Sequence, residues 1–181
     1  MSRAIVAMIG LPAVGKSTIF KEFMKLTDDW ELVPRKNVAH HYSKKLNAVI
    51  IGKYEDGEVF PGTDRLGLNT QPHCKEFIEE ASDVNFFFEG DRIGNQSMFE
   101  WIAELDDTDF TILNVVADPR TISIRHKKRN DDQSEQFLNG RETKIAGICK
   151  NFVLMDYVET VEHETSEDTQ KIVELMRSKL K

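Results

Sequence analysis

The feature that most constrains the fold is a glycine-bounded loop, residues 10–17, between two segments of different hydrophobic periodicity. Before the loop, residues 4–9 form a continuous apolar run, which is typical of a strand buried on both faces of a parallel sheet. After the loop, residues 17–26 place their large apolar side chains on one face, as an amphipathic helix does. A buried strand that leads directly into a helix predicts an α/β fold.

The loop itself reads Gly-Leu-Pro-Ala-Val-Gly-Lys-Ser, which fits the pattern G-x-x-x-x-G-K-[ST]. Glycines let successive N–H groups point inward, and the helix that follows directs its positive dipole end at the same point. Lys16 would place a cation against the β- and γ-phosphates, and the Ser17 hydroxyl would ligate Mg²⁺. We therefore expect ATP and Mg²⁺ as cofactors, with the triphosphate bound by Gly10, Ala13, Val14, Gly15, Lys16, Ser17 and Thr18.

Along the rest of the chain, apolar strand candidates alternate with helical segments. The strand candidates are residues 4–9, 47–54, 84–88, 110–117 and 157–161, with residues 32–33 as a short addition. The helix candidates are residues 17–26, 72–82, 95–105, 119–129, 134–154 and 166–180, with a break at residues 139–140 left open. This alternation predicts one domain over residues 1–181, with a mostly parallel five-stranded sheet and helices on both faces.

Composition narrows the class of protein. Hydrophobic residues make up 40% of the 181 residues and charged residues 30%, and no apolar run approaches the roughly 20 residues of a membrane span. Cys74 and Cys149 stand alone and predict reduced thiols, without a zinc site. We expect a cytoplasmic protein with no membrane partner and no obligatory protein partner, with a homodimer left open.

The segment of residues 120–150 is basic although the chain is acidic. It carries a local charge of +4, whereas the whole chain carries −7. Asn130-Asp131-Asp132-Gln133 separates two helical stretches in the manner of a hairpin, which favours a helical lid around residues 120–145. Such a lid would bring Arg125 and Arg129 over the transferring phosphoryl group and exclude water. The alternative is a solvated charged face.

Acidic residues follow a strand that contains three phenylalanines, in the order Glu89-Gly90-Asp91-Arg92. Ligands of open α/β sheets bind beyond the carboxyl ends of strands. An acid there can hold Mg²⁺ or accept a proton from an attacking hydroxyl, and Glu89 and Asp91 remain alternatives for the base. Arg92 would clamp an anionic acceptor. The competing interpretation is an ordinary surface turn.

The turn-rich stretch of residues 55–68 contains a second group of acceptor candidates. Asp64 and Arg65 form an acid–base pair in a loop of small residues, and Asp64 is the third candidate for the catalytic base. Gln71 would read the edge of a base through its amide. A mobile surface loop is the equally weighted alternative.

Other residues receive structural interpretations. His40 and His41 lack a third ligand for a metal and are interpreted as base-stacking or capping residues. Phe137 and Phe152 are expected in the hydrophobic core.

Together, the loop, the strand-end acids and the basic segment resemble the P-loop nucleoside and nucleotide kinases. Glu89-Gly90 followed by Arg92 is similar to the Asp-Gly…Arg of adenylate kinases, and Asp91-Arg92 is similar to the Asp-Arg pair of thymidylate kinases. The resemblance implies that Arg92 contacts the acceptor and that Arg125 and Arg129 contact the transferring phosphates.

A narrower resemblance rests on Pro61-Gly-Thr-Asp-Arg-Leu66 with Gln71-Pro72, and on residues 88–92. These motifs resemble the phage 5-hydroxymethyluracil DNA kinases. That resemblance implies phosphorylation of the 5-hydroxymethyl group of 5-hydroxymethyl-deoxyuridine in DNA, in the host cytoplasm, on a base that has left the duplex stack. The alternatives are a (deoxy)nucleoside monophosphate kinase and, more distantly, a GTPase switch, since residues 64–67 match D-x-x-G.

Overall fold

The computed structural model describes residues 2–55, 61–131 and 133–181. Residues 56–60 of the turn-rich stretch and Asp132 of the expected lid hairpin lie outside these ranges. The strands are β1 (Arg3–Ile9), β2 (Glu31–Val33), β3 (His40–Ser43), β4 (Ala48–Ile51), β5 (Asn85–Glu89), β6 (Thr108–Val116) and β7 (Val158–Glu162). The helices are α1 (Lys16–Met24), α2 (Thr70–Glu80), α3 (Gln96–Ala103), α4 (Pro119–Arg129), α5 (Glu135–Cys149) and α6 (Ser166–Ser178), with short 3₁₀ turns at Thr63–Arg65 and Met155–Tyr157.

The strands form one sheet in the order β2-β3-β4-β5-β1-β6-β7. Strand β1 lies between β5 and β6, pairs in parallel with both, and buries all seven of its residues. In this register Met8 lies opposite Glu89, the last residue of β5. The carboxyl ends of β1 and β5 are therefore neighbours, and the segments that leave them meet at one edge of the sheet.

The prediction of a mostly parallel sheet is confirmed, but the number of five strands was wrong. Within the described residues, five strands are mutually parallel, and β2 and β3 add an antiparallel extension to β4. The missed strand β3 contains His40 and His41, which are only 5% and 7% exposed. The His40 ring packs at 4.5 Å from the Phe77 ring, and the His41 Nε2 accepts a hydrogen bond from the Tyr54 amide. Hydropathy did not predict this buried strand, because its residues are polar. Strand pairing and ring packing stabilise it instead.

Helices cover both faces of the sheet, as expected. One face of β1, with Ile5 and Ala7, packs into a core with buried residues of α2, α3 and α5. The other face, with Val6 and Met8, packs against α1 and α6. Helix α5 runs without a break through Gly140. Within the described residues, no helix has both the length and the hydropathy of a membrane span.

Asp29 stabilises the connection between α1 and the antiparallel strands. Its carboxylate accepts hydrogen bonds from the Ser43 hydroxyl at 2.6 Å, the Thr27 hydroxyl at 2.7 Å and the Lys45 amide at 2.8 Å. Desolvation acts to raise the pKa of Asp29, but these hydrogen bonds outweigh it and lower the pKa from 3.8 to about 2. The charged form of Asp29 is therefore the form that the fold favours.

We expect Asp29→Asn to lower the stability of the protein at neutral pH. Because the folded-state pKa lies below the unfolded one, the contribution of Asp29 is present above about pH 3.8 and is lost as the pH falls through about 2. In urea unfolding, the difference between the free energies of unfolding of wild type and variant should therefore shrink between about pH 4 and about pH 2. Asp106→Asn, at an exposed carboxylate, is the control. A difference that stays constant over this range would contradict the prediction.

Candidate active site

The loop between β1 and α1 adopts the tight, inward-curling conformation that its glycines allow. Gly10, Ala13 and Gly15 have φ values of 148°, 63° and 106°. A Cβ at Gly15 would overlap the His163 ring, so both the positive φ and the space require glycine there. Gly15 is the N-cap of α1 and has no side chain to cap the helix. The amides of the first turn are thus available to an anion.

Lys16 folds over this loop. Its ammonium group donates hydrogen bonds to the carbonyl oxygens of Gly10 at 2.8 Å and Leu11 at 3.0 Å. Burial lowers the pKa of Lys16, while the carboxylates of Glu89, Asp91 and Asp64 act in the opposite direction. The ammonium group therefore lies among three carboxylates that come from two separate segments of the chain.

Glu89 is the most buried of these acids, with 3% of its surface exposed. Its Oε1 accepts a hydrogen bond from the Ser17 hydroxyl at 2.8 Å and another from the Tyr54 hydroxyl at 3.3 Å. The Thr63 hydroxyl donates to the Glu89 carbonyl oxygen at 2.8 Å. Burial raises the pKa of Glu89 although the Lys16 ammonium and the Ser17 hydrogen bond lower it, which makes Glu89 a stronger base than an exposed glutamate.

Asp91 is engaged by two basic residues of helix α5. Its Oδ1 pairs with the Arg141 guanidinium at 2.6 Å and the Lys144 ammonium at 3.0 Å. The Asp91 amide donates to the Asp64 Oδ1 at 3.3 Å. These contacts tie the end of β5 to α5 on one side and to the 3₁₀ turn at Thr63–Arg65 on the other.

A cavity of about 300 Å³ lies in front of the loop. We call it the front cavity. Its walls come from the loop, from the acid-bearing segments and from the region of α4 and α5. It is lined by Gly10, Pro12, Ala13, Gly15, Lys16, Ser17, Pro61, Asp64, Glu89, Gly90, Asp91, Arg129, Asp131, Gln133, Phe137 and Arg141.

A second cavity of about 390 Å³, the rear cavity, lies on the α6 side of the loop. Thr18, Arg125, His163 and Thr165 contribute to its lining, and it shares Ala13, Gly15 and Arg129 with the front cavity. The Arg125 guanidinium donates to the carbonyl oxygens of Val14 at 2.9 Å and His163 at 3.0 Å. Arg125 thus binds the backbone of the loop and of the segment after β7.

The structure brings most of the predicted site residues together. Gly10, Ala13, Gly15, Lys16, Ser17, Asp64, Glu89, Asp91 and Arg129 all line the front cavity. Thr18 lines the rear cavity, and Val14 is buried with its side chain in the core.

Three predicted acceptor residues do not line the front cavity. Arg65 pairs with Glu55 at 3.4 Å. The Gln71 amide donates to the Ser97 hydroxyl at 3.2 Å and accepts from the Asn95 amide at 2.8 Å. Arg92 is half-buried. In this conformation, none of the three residues is placed to contact an acceptor in the front cavity, although the sequence predicted such contacts.

Sequence reasoning missed two buried residues that support the site. The Nδ1–H of His163 donates to the Val14 carbonyl oxygen at 2.6 Å, and its Nε2 accepts from the Thr169 hydroxyl at 2.8 Å. Tyr54 contacts Glu89 from the opposite side of the site. Both follow the carboxyl end of a strand, β7 and β4 respectively, and that position is the signal that could have found them.

The core assignment of two phenylalanines was wrong. Phe137 is 39% exposed and Phe152 is 90% exposed. Phe137 lines the front cavity instead of packing into the core. The helical spacing of α5 did not reveal this because a helix that borders a cavity leaves part of its apolar face unpacked.

Ser17 and Glu89 fit a magnesium site, because a hydroxyl and a carboxylate oxygen 2.8 Å apart are ligands that Mg²⁺ uses together with water and phosphate oxygens. Within the described residues, no group of three or more His, Cys, Asp or Glu is placed to hold a metal ion by itself. No model of a known protein family matches this chain, and no curated protein matches it either.

Proposed function

We propose that this protein is a P-loop kinase, an ATP-dependent phosphotransferase that moves the γ-phosphoryl group to a hydroxyl of a nucleobase or nucleotide. One observation carries the proposal. The loop lysine, the loop serine and a buried strand-end glutamate converge on one cavity, and the Ser17 hydroxyl bonds directly to Glu89 at 2.8 Å. Their convergence supports a phosphoryl-transfer site better than the loop sequence alone does.

The loop and Arg129 of the basic helix α4 would both bind the phosphates. Loop amides and the Lys16 ammonium bind the β- and γ-phosphates, and Lys16 exchanges its bonds to Gly10 and Leu11 for phosphate oxygens. Arg129, which lines both cavities, stabilises charge on the transferring group. Mg²⁺, bound by the Ser17 hydroxyl and held by Glu89 through a bridging water, would neutralise charge on the phosphate oxygens.

Glu89 is the best candidate for the base that accepts the proton of the attacking hydroxyl. The Asp91 Oδ1 is already engaged by Arg141 at 2.6 Å and Lys144 at 3.0 Å, so it is not free to meet the hydroxyl of an acceptor. Burial raises the pKa of Glu89 and so makes it a stronger base. Asp64 lines the same cavity and remains the alternative base.

The acceptor that we propose is the 5-hydroxymethyl group of 5-hydroxymethyl-deoxyuridine in DNA. This proposal rests on the sequence motifs of residues 61–72 and 88–92. The front cavity supports a single base, because a duplex cannot enter a volume of about 300 Å³. A free deoxynucleotide would fit the same cavity, so the acceptor is decided by experiment.

The test is phosphoryl transfer from γ-labelled ATP. The protein is incubated with an oligodeoxynucleotide that contains 5-hydroxymethyl-deoxyuridine, with the same oligodeoxynucleotide carrying thymidine, and with a panel of nucleoside monophosphates. We expect label on the modified oligodeoxynucleotide only. Label on the monophosphates alone would replace the DNA acceptor with a free nucleotide, and the absence of label on every acceptor would reject the kinase proposal.

A further inference from the structure

The two cavities allow the phosphoryl donor and the phosphoryl acceptor to bind at separate positions. They meet only at the loop and Arg129, and the Lys16 and Ser17 side chains lie on the front side. A triphosphate bound to the loop therefore has its terminal phosphoryl group in the front cavity, facing Asp64 and Glu89. The acceptor would then lie against the rest of the cavity lining, which includes Gln133, Phe137 and Arg141.

Phe137 is an unusual residue to find on that wall. The other side chains around it are mostly charged or polar, and yet this large apolar ring is 39% exposed. The Arg141 guanidinium lies 4.6 Å from the ring centre and is itself fixed by its ion pair with Asp91. The Phe137 amide donates to the Ser134 cap of α5 at 3.2 Å, which fixes the backbone. The ring is thus held in place with Arg141 over one face, and a planar ligand would stack on the part of the ring that stays exposed.

Gln133 adds a polar group to the lining of the same cavity. Its Oε1 is buried and has no hydrogen-bond partner within the part of the chain that the structure describes, although the residue lines the front cavity. A buried acceptor without a partner is costly, and a turn of the Gln133 amide into the cavity would let a ligand N–H group satisfy it. An exposed aromatic ring and an unsatisfied carbonyl in the same cavity lining match a flat heterocycle with an N–H edge.

We propose that Phe137 and Gln133 form a nucleobase subsite, in which the acceptor base stacks on Phe137 and donates an N–H hydrogen bond to the Gln133 Oε1. Uracil and its 5-substituted forms carry such a donor at N3. A sugar alcohol or a protein hydroxyl offers neither the flat face nor this edge. The assignment of the base to the acceptor rests on the proposed function, because it takes the phosphoryl group to lie at Lys16.

The direct test is binding without catalysis. Calorimetry compares 5-hydroxymethyl-deoxyuridine monophosphate with deoxyribose 5-phosphate, which differs only by lacking the base, in the presence of a non-hydrolysable ATP analogue. We expect the wild-type protein to bind the nucleotide about tenfold more tightly, in line with the contribution of one base–aromatic stack. Phe137→Leu should reduce this preference to the part that the Gln133 hydrogen bond contributes, and Phe137→Tyr should keep it because the ring remains.

Two further variants complete the test. Gln133→Leu should weaken nucleotide binding severalfold without affecting deoxyribose 5-phosphate. Phe152→Leu, at an aromatic residue that is 90% exposed and does not line the front cavity, should change nothing. Equal affinity of the wild type for the two probes, or an unchanged preference in Phe137→Leu, would overturn the subsite.

Failure of the subsite and failure of the proposed function give different results. A protein that transfers phosphate from ATP but shows no base preference retains the kinase function and loses the subsite. A protein that prefers the nucleotide through Phe137 but transfers no phosphate to any acceptor retains the subsite and loses the kinase function.

Discussion

Replacement of Lys16 by alanine is expected to reduce phosphoryl transfer by about a thousandfold or more, because it removes the cation that stabilises charge on the transferring phosphates. The ammonium group bonds to the Gly10 and Leu11 carbonyl oxygens at the mouth of the front cavity. No other lysine lines this cavity within the described residues, so a neighbour cannot replace it. The measurement is the initial rate of label transfer from ATP at saturating acceptor.

A matched control separates this effect from damage to helix α1. Lys25→Ala removes a lysine that follows the same helix, is 69% exposed and pairs with Glu22. This variant should transfer phosphate at the wild-type rate. Thermal unfolding checks that the Lys16 variant is folded. Wild-type activity in a folded Lys16→Ala protein would falsify the central role of the loop in the proposed function.

Glu89→Gln is expected to lower turnover by about a hundredfold or more while leaving ATP binding nearly unchanged. The amide oxygen of glutamine can still accept the hydrogen bonds that Ser17 and Tyr54 donate to Glu89, so the cavity keeps its shape. The amide cannot take up a proton from the attacking hydroxyl. Turnover is measured by label transfer, and ATP binding by titration with a fluorescent ATP analogue.

The neighbouring acids provide the comparison for Glu89. Asp91→Asn weakens the ion pairs to Arg141 and Lys144 but leaves the proposed base in place, so we expect a smaller loss of turnover. Asp64→Asn tests the alternative base. If Asp64→Asn loses about a hundredfold while Glu89→Gln keeps most of its turnover, the base is Asp64 and the assignment to Glu89 is wrong.

Much of the fold could be predicted from local patterns. Short patterns predicted single strands or helices from a few residues each. Examples are the apolar run of β1, the three phenylalanines before Glu89, and Pro119 at the start of α4. Hydrophobic periodicity and helix-start signals are local properties, so a single sequence carries them. The predicted helices accordingly match the observed helices except for a few residues at their ends.

The errors fall where long-range contacts override local patterns. Strand β3 is polar in sequence, and its pairing with both β2 and β4 makes it a strand. Phe137 has the residue type of a core position, but the front cavity lies next to it. Neither outcome depends on the residues that flank these positions in the chain.

The candidate site also combines local sequence patterns with long-range contacts. The sequence by itself determined the loop of residues 10–17 between a strand and a helix, together with the acids that follow β5, because each is a short pattern with one compatible local geometry. Only the tertiary structure decided which residues meet there. Parallel pairing places Met8 opposite Glu89, so Ser17 reaches a carboxylate 72 positions away in the chain, and Tyr54 and His163 join from other strand ends. Sheet register connects residues that are distant in sequence, and no local pattern contains that information.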